Sequence, residues 1–172
     1  VVFEHRRRRD DAAKPGRIAV RRDDFRVTRF QQRTESATIF VVDASGSSAV
    51  QRLAEAKGAV ELMLADCYAR RDSVALLAFR GRGAELLLPP TRSLARAKRC
   101  LAELPGGGGT PLASGIDAAG ALAESVRRKG QTPVVILLTD GRANIARDGV
   151  AGRAKAEQDC AQAARGFAEA GI

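Results

Sequence analysis

The sequence has 172 residues and a formal net charge of +9, from 29 Lys or Arg against 20 Asp or Glu. A chain of this length suits one domain, which buries about 70% of its unfolded surface and folds without disulfide or zinc staples. Three scattered cysteines and the single histidine, His5, argue against a disulfide framework, a structural zinc site and Ser/His/Asp or Cys/His catalysis. No apolar run approaches the roughly 20 residues that span a membrane. We expect a reduced, cytoplasmic protein.

The first 37 residues are predicted to form a basic linker and a short strand or hairpin. Residues 1–35 carry eleven Lys or Arg and six Asp or Glu, including Arg6, Arg7, Arg8 and Arg9. Such an arm suits nucleic acid, an anionic membrane or an acidic partner, and a solvated linker explains it equally well. With one tyrosine and no tryptophan the sequence offers no stacking platform, so nucleic acid is the weaker choice.

From residue 38 onward, short apolar strands alternate with amphipathic helices. In chain order these are a strand over 38–42, a helix over 49–71, strands over 73–79 and 84–90, helices over 93–104 and 111–130, a strand over 133–139 and a helix over 151–171. Strands that are apolar on both faces are typical of a parallel sheet covered by helices on each side. The short turn "RGRG" between the second and third strands predicts a hairpin.

The predicted fold is therefore α/β: an open, mostly parallel sheet flanked by helices on both faces, with one antiparallel edge hairpin strand. The domain is expected to cover residues 38–172. One more strand is expected to begin where the sequence ends, so the sheet is expected to be cut short at its last strand.

Oxygen-bearing side chains follow two of the apolar strands and one glycine-rich loop. "VVDASGS" places Asp43, Ser45 and Ser47 after the first strand, "PGGGGTPL" places Thr110 before a helix, and "LLTDG" places Asp140 after a later strand. The carboxyl ends of parallel strands meet at one edge of an open sheet, so these side chains are expected to converge there. The set contains only oxygen ligands, which suit Mg²⁺, with Mn²⁺ or Ca²⁺ as substitutes.

Each part of this predicted site also has a simpler interpretation. Ser47 or Ser48 suits a helix cap, Thr110 before proline suits an ordinary N-cap, and Asp140 before glycine suits a turn. Taken singly, the simpler interpretation is favoured for Thr110 and Asp140. The D-x-S-x-S spacing is stronger evidence, since one cap does not need all three side chains. Together, in this order along the chain, the residues favour a metal site.

Two enzyme classes place similar residues after a strand, and each lacks a residue here. A haloacid-dehalogenase-type phosphatase needs a second aspartate two positions after Asp43, where this chain has Ser45. A P-loop needs a lysine that "GGGGTPL" does not supply. The four glycines are instead expected to let the backbone bend tightly and bring Thr110 to the site.

The combination of D-x-S-x-S, a later loop threonine and a strand-end "TDG" resembles the metal-ion-dependent adhesion site of von Willebrand factor A (integrin I-like) domains. By this resemblance, Ser45, Ser47 and Thr110 face the metal, while Asp43 and Asp140 bind it directly or through water. One coordination position is left for a carboxylate of a partner protein. The resemblance covers residues 38–172.

The stretch from residue 73 to 119 and "LLTDGRANIARDG" resemble the C-terminal half of the magnesium chelatase D-subunit family. That resemblance implies a non-catalytic, Mg²⁺-dependent interaction domain within an ATP-dependent ligase, which inserts Mg²⁺ into protoporphyrin IX in chlorophyll and bacteriochlorophyll biosynthesis. It implies docking with the AAA+ I subunit through an acidic side chain on the metal, and with the porphyrin-binding H subunit. ATP binding would belong to other parts of the complex.

Two groups of residues outside the metal set are candidates for partner docking. Arg142 and Asn144 follow Asp140 and suit a docking surface, although turn and helix-start roles suit them equally. The basic run from Arg6 to Arg9 is the second group. Two alternative functions stay open: the equivalent domain of a cobaltochelatase or other AAA+-partnered protein, and, less favoured, a Mg²⁺-dependent phosphohydrolase.

Overall fold

A computed structural model describes residues 35–46, 61–104 and 106–172. All of them belong to one compact unit, residues 34–172. Several predictions lie outside the described residues: the basic arm with Arg6 to Arg9, the strand or hairpin expected after it, Ser47 with the cap proposed for it, and the first part of the helix over 49–71.

Four strands form one open sheet in the order β3-β2-β1-β4. They are β1 (Ser36–Asp43), β2 (Ser73–Arg80), β3 (Gly83–Thr91) and β4 (Thr132–Leu138). The central strand β1 pairs in parallel with both β2 and β4, and β3 returns antiparallel beside β2. The two central strands are almost wholly buried, as their continuous apolar runs predict.

The strand register brings three chain segments to the same edge of the sheet. Asp43, the last residue of β1, is level with Phe79 near the end of β2, and Val42 is level with Leu138 at the end of β4. The loops that follow these strands therefore leave the sheet side by side. The β2–β3 hairpin turns at this edge too, and Gly81 has the positive φ of 63° that its tight loop requires.

Helices cover both faces of the sheet. They are α1 (residues 61–70), α2 (Leu94–Ala102), α3 (Leu112–Arg128) and α4 (Arg153–Glu169). Ser93 caps α2, since its side chain accepts a hydrogen bond from the backbone N–H of Arg96 at 3.4 Å. After α3, Gly130 takes a positive φ of 78°, the conformation that ends many helices.

Two apolar clusters, one on each face, hold these layers together. Side chains of β1 and β2 alternate between the two faces, so each strand contributes to both clusters. The first cluster packs against α3 and α4 and includes Ile39, Val41, Leu77, Phe79, Ala119, Ala123, Val126 and Ala156. The second packs against α1 and α2 and includes Phe40, Val42, Leu76, Leu88, Leu64, Cys67, Ala97 and Leu101.

The predicted fold is confirmed. The sheet is open and mostly parallel, has one antiparallel edge pair and carries helices on both faces. Apolar periodicity was sufficient to predict every described strand and helix, with ends that differ by a few residues. No helix within the described ranges has the length and apolar character needed to cross a membrane.

Candidate metal centre

Asp43 lies at the end of β1, half-buried, and both of its carboxylate oxygens are held in place. Oδ1 accepts a hydrogen bond from the backbone N–H of Ser45 at 2.9 Å, and Oδ2 accepts one from the Thr139 hydroxyl at 3.3 Å. The first bond fixes the turn after β1, and the second ties β1 to the segment that follows β4. Each oxygen accepts only one of these bonds, so lone pairs remain for a further ligand.

Ser45 and Thr110, which are 65 positions apart in the sequence, meet side by side. Their hydroxyl oxygens are 2.6 Å apart and form a hydrogen bond. Ser45 is 9% exposed and Thr110 is 7% exposed, so this polar pair lies in the interior beside Asp43. Three of the five predicted metal ligands therefore sit on segments that contact each other directly.

The glycine loop over residues 106–109 runs against the turn after β1. Gly107 donates its N–H to the Ala44 carbonyl at 2.9 Å, and Gly46 donates to the Gly108 carbonyl at 3.2 Å. Gly107 and Gly108 have φ values of 114° and 93°, which residues with a side chain rarely adopt. The structure thus agrees with the prediction that these glycines bend the backbone to bring Thr110 to the site.

Thr110 is not the N-cap of α3, so the simpler interpretation of Thr110 is wrong. The helix begins at Leu112 with Pro111 in the capping position, and no side chain caps it by a hydrogen bond. The hydroxyl of Thr110 instead pairs with Ser45. The Thr110 hydroxyl therefore bonds to a residue that is distant in the sequence and does not cap the helix that follows it.

Asp140 lies on an exposed turn next to the site. Its Oδ1 accepts a hydrogen bond from the backbone N–H of Arg142 at 3.0 Å, and Gly141 has a positive φ of 77°. The predicted turn is therefore present. It is anchored close to Asp43, because the preceding Thr139 donates to the Asp43 carboxylate and accepts from the Gly141 N–H at 3.1 Å.

Two features of the site were not predicted from the sequence: the role of Thr139 and the contact of Asn144 with Thr110. The Asn144 side-chain Oδ1 accepts from the backbone N–H of Thr110 at 2.6 Å, while the Asn144 N–H donates to the Thr110 carbonyl at 3.2 Å. Asn144 thus fixes the backbone of Thr110 from both sides. The sequence signal for Thr139 was its position directly before Asp140. The sequence contained no signal for the contact between Asn144 and Thr110.

Arg147 fastens the segment after Asn144 to helices α3 and α4. Its guanidinium donates two parallel hydrogen bonds to Asp117, at 2.7 and 2.8 Å, and a third to the Gln162 side chain at 3.0 Å. The hydrogen bonds to Asp117 raise the pKa of Arg147 above its ordinary value. The Arg147 backbone N–H also donates to Asp159 at 2.9 Å. These bonds hold the loop that carries Asn144.

The converging donors are chemically suited to a hard divalent cation. They are one carboxylate and two hydroxyls in close contact, with Asp140 on the adjoining turn. Over the described residues, no three acidic, histidine or cysteine side chains gather in a way that would hold a metal ion, so a cation here depends on the hydroxyls. Oxygen donors of this kind suit Mg²⁺, Mn²⁺ and Ca²⁺ better than zinc or copper.

Comparison with known proteins identifies the domain. Residues 38–142 match the von Willebrand factor type A domain. The chain belongs to the von Willebrand factor type A domain family. A solved von Willebrand factor type A structure from Catenulispora acidiphila superposes with a TM-score of 0.55 at 22% identity, covering 77% of this chain and 30% of that one. At this identity the superposition supports the fold alone.

This von Willebrand factor A domain is also similar to curated magnesium-chelatase subunits, which confirms the predicted resemblance. It is 59% identical over 155 residues to the magnesium-chelatase 60 kDa subunit of Cereibacter sphaeroides, covering 90% of this chain and 28% of that protein. It is 49% identical over 167 residues to the 60 kDa subunit of Rhodobacter capsulatus, covering 97% and 30%. The chain therefore spans less than a third of these relatives.

Proposed function

We propose that this chain is a Mg²⁺-dependent protein-interaction domain of a magnesium chelatase subunit. It would assemble the ATP-dependent complex that inserts Mg²⁺ into protoporphyrin IX in chlorophyll and bacteriochlorophyll biosynthesis. The observation that carries the proposal is the close pairing of Ser45 and Thr110, 2.6 Å apart, beside the Asp43 carboxylate. Similarity to magnesium-chelatase 60 kDa subunits supports the choice of complex.

Asp43, Ser45 and Thr110 would hold the cation, and Ser47 and Asp140 would complete the set. Mg²⁺ usually takes six oxygen ligands at about 2.1 Å and keeps several waters, so five protein side chains need not all bind directly. Mn²⁺ or Ca²⁺ would substitute. The bound cation would supply a positive centre that attracts a carboxylate of a partner protein.

The surrounding residues would prepare this centre before a partner arrives. The hydrogen bonds from Ser45 N–H and Thr139 orient the Asp43 carboxylate. Asn144 holds the backbone of Thr110, which fixes its hydroxyl beside Ser45. Because the two carboxylates of Asp43 and Asp140 nearly neutralise a divalent cation, a third carboxylate from a partner would meet little repulsion.

The domain itself is proposed to be non-catalytic. A phosphatase of the type considered above needs a carboxylic acid where Ser45 stands, and Ser45 is engaged with Thr110. Catalysis would belong to the assembled ligase, with ATP bound outside this domain. The proposed partners are the AAA+ I subunit, through an acidic side chain on the cation, and the porphyrin-binding H subunit. The proposed location is the cytoplasm.

A capture experiment tests this function. The 172-residue chain is immobilised, and retention of the AAA+ subunit is measured with Mg²⁺ and with EDTA. We expect Mg²⁺-dependent retention that Asp43→Ala abolishes while circular dichroism shows that the variant still folds. Asp66→Ala removes an exposed carboxylate on α1 and serves as the matched control with unchanged retention. Equal retention by Asp43→Ala, or equal retention in EDTA, would contradict the proposal.

A further inference from the structure

We propose that three arginines beside the candidate metal centre select an extended acidic segment of the partner, and not a lone carboxylate. The arginines are Arg80, Arg82 and Arg142, called the flanking arginines below. This inference rests on the proposed function, because it assumes that one partner carboxylate occupies the metal centre. It adds a second recognition element that acts whether or not the cation is present.

Arg80 and Arg82 lie at the turn between β2 and β3, which contacts the glycine loop of the site. A Cβ built on Gly108 would come within 3.0 Å of the Gly81 backbone, and Gly108 in turn accepts the hydrogen bond from Gly46. The stem of Arg82 packs 3.7 to 4.0 Å from the Cβ position of Gly149, in the loop that follows Asn144. These contacts place both arginines on the β2 side of the metal centre.

Arg142 lies on the opposite side, after β4. Its backbone N–H is bonded to the Asp140 carboxylate at 3.0 Å, so it directly adjoins the predicted ligand set. Since the sheet order is β3-β2-β1-β4, the end of β1 with Asp43 lies between the two arginine-bearing segments. A segment that crosses the metal centre from β2 to β4 would therefore meet a guanidinium on each side.

All three side chains are available for an incoming anion. Each arginine is exposed, and across the described ranges none of the three guanidiniums forms an ion pair or a hydrogen bond. By contrast, the guanidinium of the nearby Arg147 already forms an ion pair with Asp117. The acidic side chains beside this group are Glu85, which lines a cleft of about 330 Å³ together with Arg80, and Asp140, whose carboxylate accepts from the Arg142 backbone N–H. Unpaired guanidiniums favour carboxylate or phosphate partners.

The geometry favours an acidic polypeptide over a nucleic acid. Neighbouring strands are roughly 4.8 Å apart, so the ends of β2 and β4 flank β1 at a total separation of about 10 Å. An extended chain advances roughly 3.3 Å per residue, so carboxylates two or three positions apart match this spacing. A single-stranded nucleic acid would need aromatic stacking, but within the described ranges Phe40 and Phe79 are fully buried, Phe167 packs against the first apolar cluster, and Tyr68 lies on α1, which leads to the opposite edge.

Peptide binding to the 172-residue chain tests the proposal. Two ten-residue probes with amidated C-termini and an uncharged BODIPY label are titrated by anisotropy: alternating Gly-Glu with five carboxylates, and alternating Gly-Gln in which one glutamine is replaced by glutamate. The variant Arg80→Gln/Arg82→Gln/Arg142→Gln should lose about tenfold in affinity for the five-carboxylate probe, as three exposed ion pairs contribute. Its affinity for the one-carboxylate probe should change less than about twofold. The loss should persist in EDTA and shrink as salt rises.

Two further variants separate local recognition from net charge. Arg96→Gln/Lys129→Gln/Arg165→Gln makes the same charge change at exposed positions away from the metal centre, and it should bind the five-carboxylate probe within about twofold of wild type. Glu85→Gln removes the acidic side chain beside Arg80 and should strengthen binding modestly. Thermal unfolding of each variant verifies that the fold is retained.

Four results would overturn the flanking-arginine proposal. The first two are that wild type does not bind the five-carboxylate probe, and that both triple variants lose the same affinity for it. The other two are that affinity for this probe falls only when Arg6 to Arg9 are replaced, and that binding of a ten-nucleotide oligothymidine depends equally on the flanking arginines. The proposed function fails differently. In that case Asp43→Ala and EDTA would leave binding of the one-carboxylate probe unchanged, whatever the flanking arginines do.

Discussion

The candidate metal centre has two sides, one stabilised by buried contacts and the other by exposed polar contacts. The packed side consists of residues 43–46 and 106–115, where Ser45, Thr110 and the start of α3 are buried. The charged side consists of residues 139–152, which are mostly exposed and are fastened by hydrogen bonds and by the pair between Arg147 and Asp117. Both sides contribute predicted ligands. The buried hydroxyls belong to the packed side, whereas the buried residues of the charged side are the small apolar Ala143 and Ala146.

This difference predicts how each side responds to substitution. Buried contacts have no room to relax and no water to replace a lost partner, so changes on the packed side should cost the most stability. Exposed ion pairs are screened and weak, so changes on the charged side should affect the cation more than the fold. The four substitutions below test this contrast, from the largest expected effect to the smallest.

Gly115→Ala should have the largest effect, because a side chain at this position of α3 would clash with a residue of β2. A Cβ at Gly115 would lie 2.7 Å from Phe79 Cδ1 and 3.0 Å from Cγ, and that ring is fully buried. Overpacking typically costs about 1–3 kcal/mol, and against a fully buried ring we expect about 3 kcal/mol. This outweighs the helix-propensity gain of about 1 kcal/mol and leaves a net loss of about 2 kcal/mol. We expect a lower free energy of unfolding in urea titrations.

The matched control is Gly166→Ala, at an exposed position of α4. A Cβ there meets nothing within 4 Å, so only the helix propensity changes. This variant should gain roughly 0.5–1 kcal/mol. If both glycine variants shift stability in the same direction, the tight contact between α3 and Phe79 does not determine the outcome.

Thr110→Val should cost about 1–2 kcal/mol, since it leaves the buried Ser45 hydroxyl without its partner. It should also weaken divalent-cation binding, because a methyl group replaces the oxygen of a proposed ligand. Urea unfolding and cation titration measure the two effects. Thr132→Val removes an exposed hydroxyl at the start of β4 and should change stability by less than about 0.5 kcal/mol. Equal behaviour of the two valine variants would contradict the role of the buried pair.

Asn144→Ala should cost about 1 kcal/mol, because the Thr110 N–H loses its acceptor at 2.6 Å. Asn144→Asp keeps an acceptor oxygen at that position and should restore most of the stability. The same order should appear in the cation affinity if Asn144 acts by fixing Thr110. An alanine variant with wild-type cation affinity would show that Thr110 needs no support from the charged side.

Arg147→Gln should have the smallest effect on stability, about 0.5 kcal/mol in low salt. Its partner Asp117 is 45% exposed and Arg147 itself is 35% exposed, so water and ions screen the pair. The difference from wild type should shrink further in 0.5 M salt, which unfolding curves at two salt concentrations measure. A loss as large as that for Thr110→Val would remove the contrast between the two sides.

The sequence was sufficient to predict the fold because its signals are local and repeated. Short apolar runs such as residues 73–79, bounded by polar residues, favour buried strands, and the register of a parallel sheet then brings the ends of β1 and β4 to one edge. Asp43, Ser45 and Thr110 could be predicted from the same reasoning, since each follows a strand or a glycine-rich bend. Family resemblance added which cation and partner to expect.

The contacts around these ligands could not be predicted from the sequence. The bond from Thr139 to Asp43 and the bond between Asn144 and Thr110 join residues 96 and 34 positions apart. They depend on how two loops cross and on side-chain rotamers, neither of which has a periodic signature. The N-cap interpretation of Thr110 failed for the same reason, because a long-range partner outcompeted a local one.

Divalent-cation binding tests the central claim most directly. Mn²⁺ is titrated into the 172-residue chain and into its Asp43→Asn variant, and free Mn²⁺ is measured by its electron paramagnetic resonance signal. The asparagine keeps the shape and a hydrogen-bond acceptor of the side chain but removes its charge. We expect one Mn²⁺ per wild-type chain, displaced by Mg²⁺, and binding weakened by at least tenfold in Asp43→Asn with the fold intact. Unchanged Mn²⁺ binding by that variant would contradict the assignment of Asp43, Ser45 and Thr110 as the metal centre.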